Sequence, residues 1–272
     1  MEKGVLFGRA RVLCPGCSEG LLEEQPGGTI RCSSCSSRYP HEGRLIDLIP
    51  DRKTADSLPQ RAMEFAPIVN IYESPLWRKN PLITFFMGIT FEKEYAIMTG
   101  ALELEKDAVV LDLACGTGIY GRQVASSLPE GMVIGLDLSL PMLRRAQEDY
   151  EEQGLSNYLL IHEDAARIPL ADESVGAVLC GGALHLFSDL AASVREVFRV
   201  LRPGGKFAVS AFSPGGSPFY RWISSIVHMV NGIKGVTPGD LEGIFSDAGF
   251  RNPVCRHAEG LWLIMSATKG QG

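Results

Sequence analysis

From residue 108 onward, short apolar runs alternate with stretches whose apolar positions recur at helical spacing. Ala108–Leu113 is apolar and β-branched and predicts a strand, followed by a glycine turn and a helix to about Ser127. Val133–Leu136 predicts the second strand. Ser139 then caps a helix with Pro141 in its first turn and Gly154 just past its end. Tyr158–His162 and Gly176–Cys180 predict two more strands. Asp189 opens a helix in which Leu190, Val194, Val197, Phe198 and Leu201 fall on one face. Arg202-Pro203-Gly204-Gly205 stops that helix, and Phe207–Ala211 is the fifth strand. A helix over Thr237–Ala248, a stop at Gly249-Phe250 and two strands to about Thr268 complete the pattern. Strand–helix units of this length imply an α/β fold with a mostly parallel sheet covered on both faces.

Upstream the pattern differs. Two helices are expected within 61–100, one starting at Asn80-Pro81. Residues 1–49 are rich in Cys, Gly and Ser, with short strand-like pieces, and 50–60 read as an exposed linker. The expected division is therefore a small domain over 1–50 and a larger one over 61–272.

Composition narrows the class. With 45% hydrophobic residues and a net charge of -6, the 272-residue chain suits a globular protein with an ample core. It has no basic run of the sort that marks many nucleic-acid binders. An export signal is not evident, and no apolar run reaches about 18 residues, so a cytoplasmic location without a membrane span is expected. Four of the seven cysteines form two C-x-x-C pairs, Cys14-Pro15-Gly16-Cys17 and Cys32-Ser33-Ser34-Cys35, with 14 residues between them. In such a chain this spacing reads as a metal site sooner than as disulfides. Four thiolates suit a closed, tetrahedral, structural Zn²⁺ site. His41 is a conceivable substitute ligand, although a loop histidine is the plainer reading. Cys115, Cys180 and Cys255 are expected to be small buried residues.

The glycine turn Gly116-Thr117-Gly118-Ile119-Tyr120-Gly121 is G-x-G-x-x-G, a pattern shared by several nucleotide-binding folds. What precedes it is more telling. Asp112 lies near the end of the first strand, where a carboxylate suits a ligand with an ammonium group and fits poorly against a pyrophosphate. Asp137 ends the second strand, where an acidic residue can take both ribose hydroxyls. Asp164 follows the third, placed to accept from an adenine amino group. Three carboxylates without partnering basic residues fit a cationic nucleoside.

These segments resemble the class I S-adenosylmethionine-dependent methyltransferases, in particular the group that includes ubiquinone- and menaquinone-pathway enzymes. Asp112–Gly118 is similar to their first motif, Gly135–Leu143 to the ribose motif, and Glu163–Leu170 to the adenine segment. Ala183–Asp189 and Val200–Gly205 complete the set. The resemblance implies a Rossmann-like seven-stranded sheet with an antiparallel last strand. It implies S-adenosylmethionine as cofactor, held by Asp112, Ala114, Cys115, Gly116, Gly118, Asp137, Leu138, Met142, Asp164, Ala165 and Gly181. The N-terminal layout resembles the ribosomal RNA guanine methyltransferases, which carry a zinc ribbon ahead of the same fold. There the fourth ligand is typically a histidine, whereas here it is Cys35. Residues 1–50 also balance six acidic against six basic side chains.

Methyl transfer needs the nucleophile held in line with the methyl group in a site that excludes water; a base helps only if the acceptor must lose a proton. His185, after the fourth strand, is the expected base, with His228 and Tyr72 behind it. Ile68–Asn80 and the aromatic-rich Pro218–Asn231 are expected to build the acceptor pocket, the latter as a lid with more than one buried face. The reading favoured is methylation of oxygen or carbon on an apolar or aromatic small molecule. Ribosomal or transfer RNA and a non-catalytic cofactor-binding protein are the alternatives.

Overall fold

The computed structural model describes residues 7–26, 28–49 and 80–271. The linker, the first expected helix of 61–100, Tyr72 and most of the Ile68–Asn80 pocket lie outside the described residues. Strand β1 (Leu22–Gln25), β2 (Thr29–Cys32) and β3 (Arg38–Tyr39) form a small antiparallel sheet. The chain continues through β4 (His41–Glu42) and β5 (Leu45–Asp47) to α1 (Pro81–Met87) and α2 (Phe91–Leu102). Then come β6 (Val109–Leu113), α3 (Ile119–Ser127), β7 (Met132–Asp137), α4 (Leu140–Glu152), β8 (Tyr158–His162) and β9 (Val175–Cys180). After α5 (Leu190–Val200) and β10 (Leu201–Phe212) the chain ends in α6 (Pro218–Asn231), α7 (Pro238–Ala248), β11 (Phe250–Glu259) and β12 (Trp262–Lys269).

The large sheet has the order β11-β12-β10-β9-β6-β7-β8-β5-β4. Strands β6 to β12 are the seven expected, and β12 runs antiparallel to both β10 and β11. The chain winds outward from β6 through β7 to β8, then crosses to β9 and β10 on the other side. The switch point is therefore between β6 and β9, where open α/β sheets bind ligands beyond the carboxyl ends of their strands.

Alternate strand residues face two cores, as period-2 geometry requires. Val110, Val133 and Leu160 pack with Met98, Tyr120, Val124, Leu143 and Tyr150 from α2, α3 and α4. Leu111, Ile134, Leu159 and Phe207 pack on the opposite face with Val194, Val197, Leu241 and Phe245 from α5 and α7. That second face also holds Phe7, Val12, Leu22, Ile30, Ile46 and Leu48. The connection from β8 to β9 has no helix, so the N-terminal segment covers sheet that a crossover helix would otherwise bury. Val12 bridges to Leu170 in that connection, and β5 adds to β8 in parallel.

Several local expectations hold. Asn80 caps α1 by accepting from the Leu82 amide, and Thr237 with Asp240 forms a capping box on α7. Two need correction. Leu201 is the first residue of β10 instead of the last of a helix, and Arg202–Gly205 forms a bulge within that strand. Leu201 pairs with Val175 and Lys206 with Ala177, so the extra residues loop out of the ladder. Cys255 is exposed, because β11 is the edge strand. Among the described residues no helix is long and apolar enough to cross a membrane.

Candidate functional site

The glycine turn leaves β6 through three residues in the left-handed region: Ala114 (φ 53°), Gly116 (φ 55°) and Gly118 (φ 76°). Ala114 is costly there because it has a Cβ. Gly118 has a second constraint, since a Cβ would lie 2.9 Å from the ring of Tyr150. Met142 is buried beneath the turn, its sulfur 3.4 Å from where a Gly116 Cβ would stand. Cys115 is buried as expected, and burial pushes its thiol well up.

The three expected carboxylates end adjacent strands, and each is anchored by main-chain amides. Asp112 is buried, and its Oδ2 accepts from Gly121 N–H at 2.9 Å. Burial pushes its carboxyl up to about 8; the Gly121 amide opposes this and the nearby Asp137 adds to it. Asp137 accepts from Ser139 N–H through Oδ1 and from Gly116 N–H through Oδ2, both at 2.8 Å. Desolvation raises Asp137 too, while these amides and His162 hold it down. Asp164 accepts from Ala166 N–H at 2.9 Å, and Ala165 and Leu138 keep some exposure beside it. Gly181 follows β9 with the Tyr120 ring against its Cα, where a side chain would collide.

His185 lies in a 3-10 turn (Leu184–Leu186) after β9, with its ring near Phe212 and Trp262. Its Nδ1 accepts from Phe212 N–H at 3.1 Å, which leaves the hydrogen of the neutral ring on Nε2. Burial lowers the imidazole to about 4. His228 is exposed on α6, away from this arrangement in burial.

Two side-chain pairs at the site, His162 with Asp47 and Ser210 with Glu94, escape a reading of the sequence. His162, the last residue of β8, is hydrogen-bonded to Asp47 of β5 and to the Leu138 carbonyl. Its place just before Glu163-Asp164 was the available signal; for Asp47, 115 residues away, there was none. Ser210 of β10 donates to Glu94 Oε1 at 2.5 Å and accepts from Gly182 N–H at 2.9 Å, propping the turn after β9.

The four ribbon cysteines converge. Their sulfurs lie within 4.8 Å of one another, with Cys14–Cys35 at 3.6 Å and Cys17–Cys32 at 3.7 Å. These are too long for disulfides and near the edge, about 3.8 Å, of a tetrahedron with Zn–S arms of about 2.3 Å. Main-chain amides of Ser34 and Cys35 point at Cys32 Sγ, at 3.3 and 3.4 Å. A hydrogen bond from Ser37 lowers Cys35 to about 6, whereas burial pushes Cys14 up to about 11. His41 is on β4, bonded to the carbonyls of Gly28 and Gly43, and is not in the cluster.

Helix α6 differs from the expectation of more than one buried face. Among its described residues only Ser224 is fully buried, with Tyr220, Ile223 and Val227 half-buried. Phe219, Trp222 (63% exposed), Ile226, Met229 (79%) and Val230 face solvent. Phe85 and Leu82 of α1 are exposed as well. Helix α1 and the loop before α6 meet the β11–β12 turn: Leu261 N–H donates to Phe86 O, and a Cβ on Gly215 would stand 2.7 Å from Gly260 O.

Residues 110–205 match the family model described as a methyltransferase domain. An uncharacterised chloroplastic methyltransferase of Arabidopsis thaliana is 29% identical, over 96% of this chain and 80% of that protein. A demethylmenaquinone methyltransferase of Listeria welshimeri is 34% identical over 54% of this chain, which spans 61% of that enzyme. An S-adenosylmethionine-dependent methyltransferase from Aquifex aeolicus shares the fold, with a TM-score of 0.58 at 17% identity over 75% of this chain and 98% of that one. Residues 110–205 form a methyltransferase domain. The chain is an S-adenosylmethionine-dependent methyltransferase.

Proposed function

We propose that this enzyme methylates an oxygen or carbon of an apolar, aromatic small molecule, quinone-like in character. The observation that carries the cofactor half is the row of carboxylates at the ends of β6, β7 and β8, anchored by main-chain amides. In this reading Asp112 faces the ammonium, Asp137 the ribose hydroxyls and Asp164 the adenine amino group. Ala114, Cys115, Gly116, Gly118, Leu138, Met142, Ala165 and Gly181 shape the walls. When bound, S-adenosylmethionine supplies an electrophilic methyl group on a sulfonium. The protein's part is to align the acceptor and exclude water.

The exposed apolar faces of α6 and α1 beside the carboxyl edge support an apolar acceptor. The name of the Listeria relative supports an aromatic one. His185 enters as a neutral hydrogen-bond donor through Nε2, aimed at an acceptor oxygen, and not as a base. Its Nδ1 is committed to Phe212, and burial keeps it uncharged. The acceptor then binds with its proton already released to bulk solvent, and the Nε2–H bond stabilises the resulting oxyanion. RNA is less well supported. The cleft where ribbon meets domain has Glu163, Asp172 and Glu196 against Arg167 and Arg199, and Arg199 is paired with both Asp172 and Glu196.

Cys14, Cys17, Cys32 and Cys35 fit a structural Zn²⁺, and residues 1–50 act as a ribbon built onto the 61–272 domain. Thiolates of this sort persist in a reducing compartment, in keeping with a cytoplasmic enzyme. The test of function is transfer of labelled methyl from the cofactor to a panel of hydroxylated quinols and aromatics, with total RNA as a parallel acceptor. Label in the quinol or aromatic products, reduced by Trp222→Ala through a raised acceptor KM, is expected. Label confined to RNA sinks the reading.

A further inference from the structure

Strand β5 carries residues of the N-terminal segment to the edge of the cofactor site. Its register places Asp47 opposite His162, and β8 in turn places His162 opposite Asp137. Three neighbouring strands thus set Asp47, His162 and Asp137 in one row at the carboxyl edge. The His162 ring is buried, with the residue 5% exposed. Its Nδ1 is 2.7 Å from Asp47 Oδ1, and its Nε2 is 3.1 Å from the Leu138 carbonyl oxygen.

A carboxylate and a carbonyl both accept, so the ring is placed to donate toward Asp47 through Nδ1 and lies against the Leu138 carbonyl through Nε2. Asp47 is itself held: its Oδ1 also accepts from Ile49 N–H at 3.1 Å, and Leu48 N–H donates to His162 O at 3.2 Å. At the other end, Leu138 lies between Asp137 and Ser139, whose amide binds Asp137 Oδ1. The imidazole therefore fixes the short turn that aims the Asp137 carboxylate.

We propose that Asp47 is a positioning residue for the cofactor site: through His162 it pins the Leu138 carbonyl, and so the turn that presents Asp137 to the ribose hydroxyls. The N-terminal segment is then a working part of cofactor binding as well as a cover for the sheet. This rests on Asp137 being the ribose ligand.

The experiment measures affinity for S-adenosylhomocysteine by calorimetry on the full chain. It compares wild type, Asp47→Ala, Asp47→Asn, Asp137→Ala and the Asp47→Ala/Asp137→Ala double variant, with thermal melts to confirm folding. Asp47→Ala is expected to weaken binding about tenfold, the range for losing a charged hydrogen bond. Asp47→Asn, which keeps the Oδ1 acceptor, recovers part of that loss. If Asp47 acts through Asp137, the double variant binds no more weakly than Asp137→Ala alone, whereas a merely structural role gives losses that multiply. Multiplying losses, or Asp47→Ala binding within about twofold of wild type, overturn the proposal. An Asp137→Ala variant that binds like wild type overturns the ribose reading itself, and this proposal with it.

Discussion

Asp112 has a carboxyl pushed up to about 8, so in the ligand-free protein it is mostly protonated at neutral pH. A cationic ammonium placed against it favours the ionised form, and binding must then release a proton. Affinity for S-adenosylhomocysteine is expected to tighten with rising pH, by up to about tenfold per unit below pH 8. Calorimetry across pH 6 to 8 checks this, and Asp112→Asn should flatten the dependence. A flat wild-type curve rules out the ammonium contact. His185 gives the converse linkage. Its folded pKa of about 4 lies below the ordinary imidazole value of 6.5, so the unfolded chain binds the extra proton between those limits. The stability tied to the neutral ring is full above pH 6.5 and is lost as pH falls toward 4, up to about 3 kcal/mol. Denaturant unfolding at pH 7.5 and pH 4.5 should show that loss in wild type and a smaller one in His185→Gln. Equal losses would mean that the ring is not buried neutral.

The ribbon's strands are two to four residues long, too short to hold together by ladder hydrogen bonds alone. Its four cysteine sulfurs lie within 4.8 Å of one another, and in the proposed reading a metal held there fixes the element. Metal analysis of the purified enzyme is expected to give close to one zinc per chain, and Cys32→Ser to lower both zinc content and melting temperature. Full stability without metal would remove the assignment. Elements with strong punctuation were legible: Asn80-Pro81 opened α1, and Thr237 opened α7. Those set by partners were not. Arg202-Pro203-Gly204-Gly205 has the composition of a turn, yet pairing of Leu201 with Val175 draws it into β10 as a bulge. The aromatic side chains of α6 suggested two buried faces, and the fold offers that helix a surface on one.

On the scale of the whole molecule, the N-terminal segment and the methyltransferase domain share one core. Val12, Leu22, Ile30, Ile46 and Leu48 pack with Leu159, Ile161 and Leu170 on the face left open by the helix-free β8–β9 connection. Further ties are the Arg144–Glu42 ion pair, the Arg44 N–H to Gln147, and Leu13 N–H to Pro169 O. Deleting residues 1–49 is expected to expose this apolar face, giving an aggregating protein or a melting temperature well below that of the full chain. A truncated chain that is monomeric, stable and binds cofactor with unchanged affinity would show that the segment is a mere appendage.

The sequence alone determined the alternation of elements, the glycine turn with its carboxylates, and the paired cysteines. Each is a local signal: period-2 and helical patterning, residues that accept left-handed backbone, and ligands spaced along one short stretch. Tertiary structure alone decided that β4 and β5 extend the large sheet, that the ribbon replaces a missing crossover helix, and that Asp47 meets His162. It also decided that the His185 Nδ1 is taken by a backbone amide from β10. These are pairings between residues 27 to about 160 positions apart, set by which apolar faces need covering, and no stretch of chain encodes them by itself.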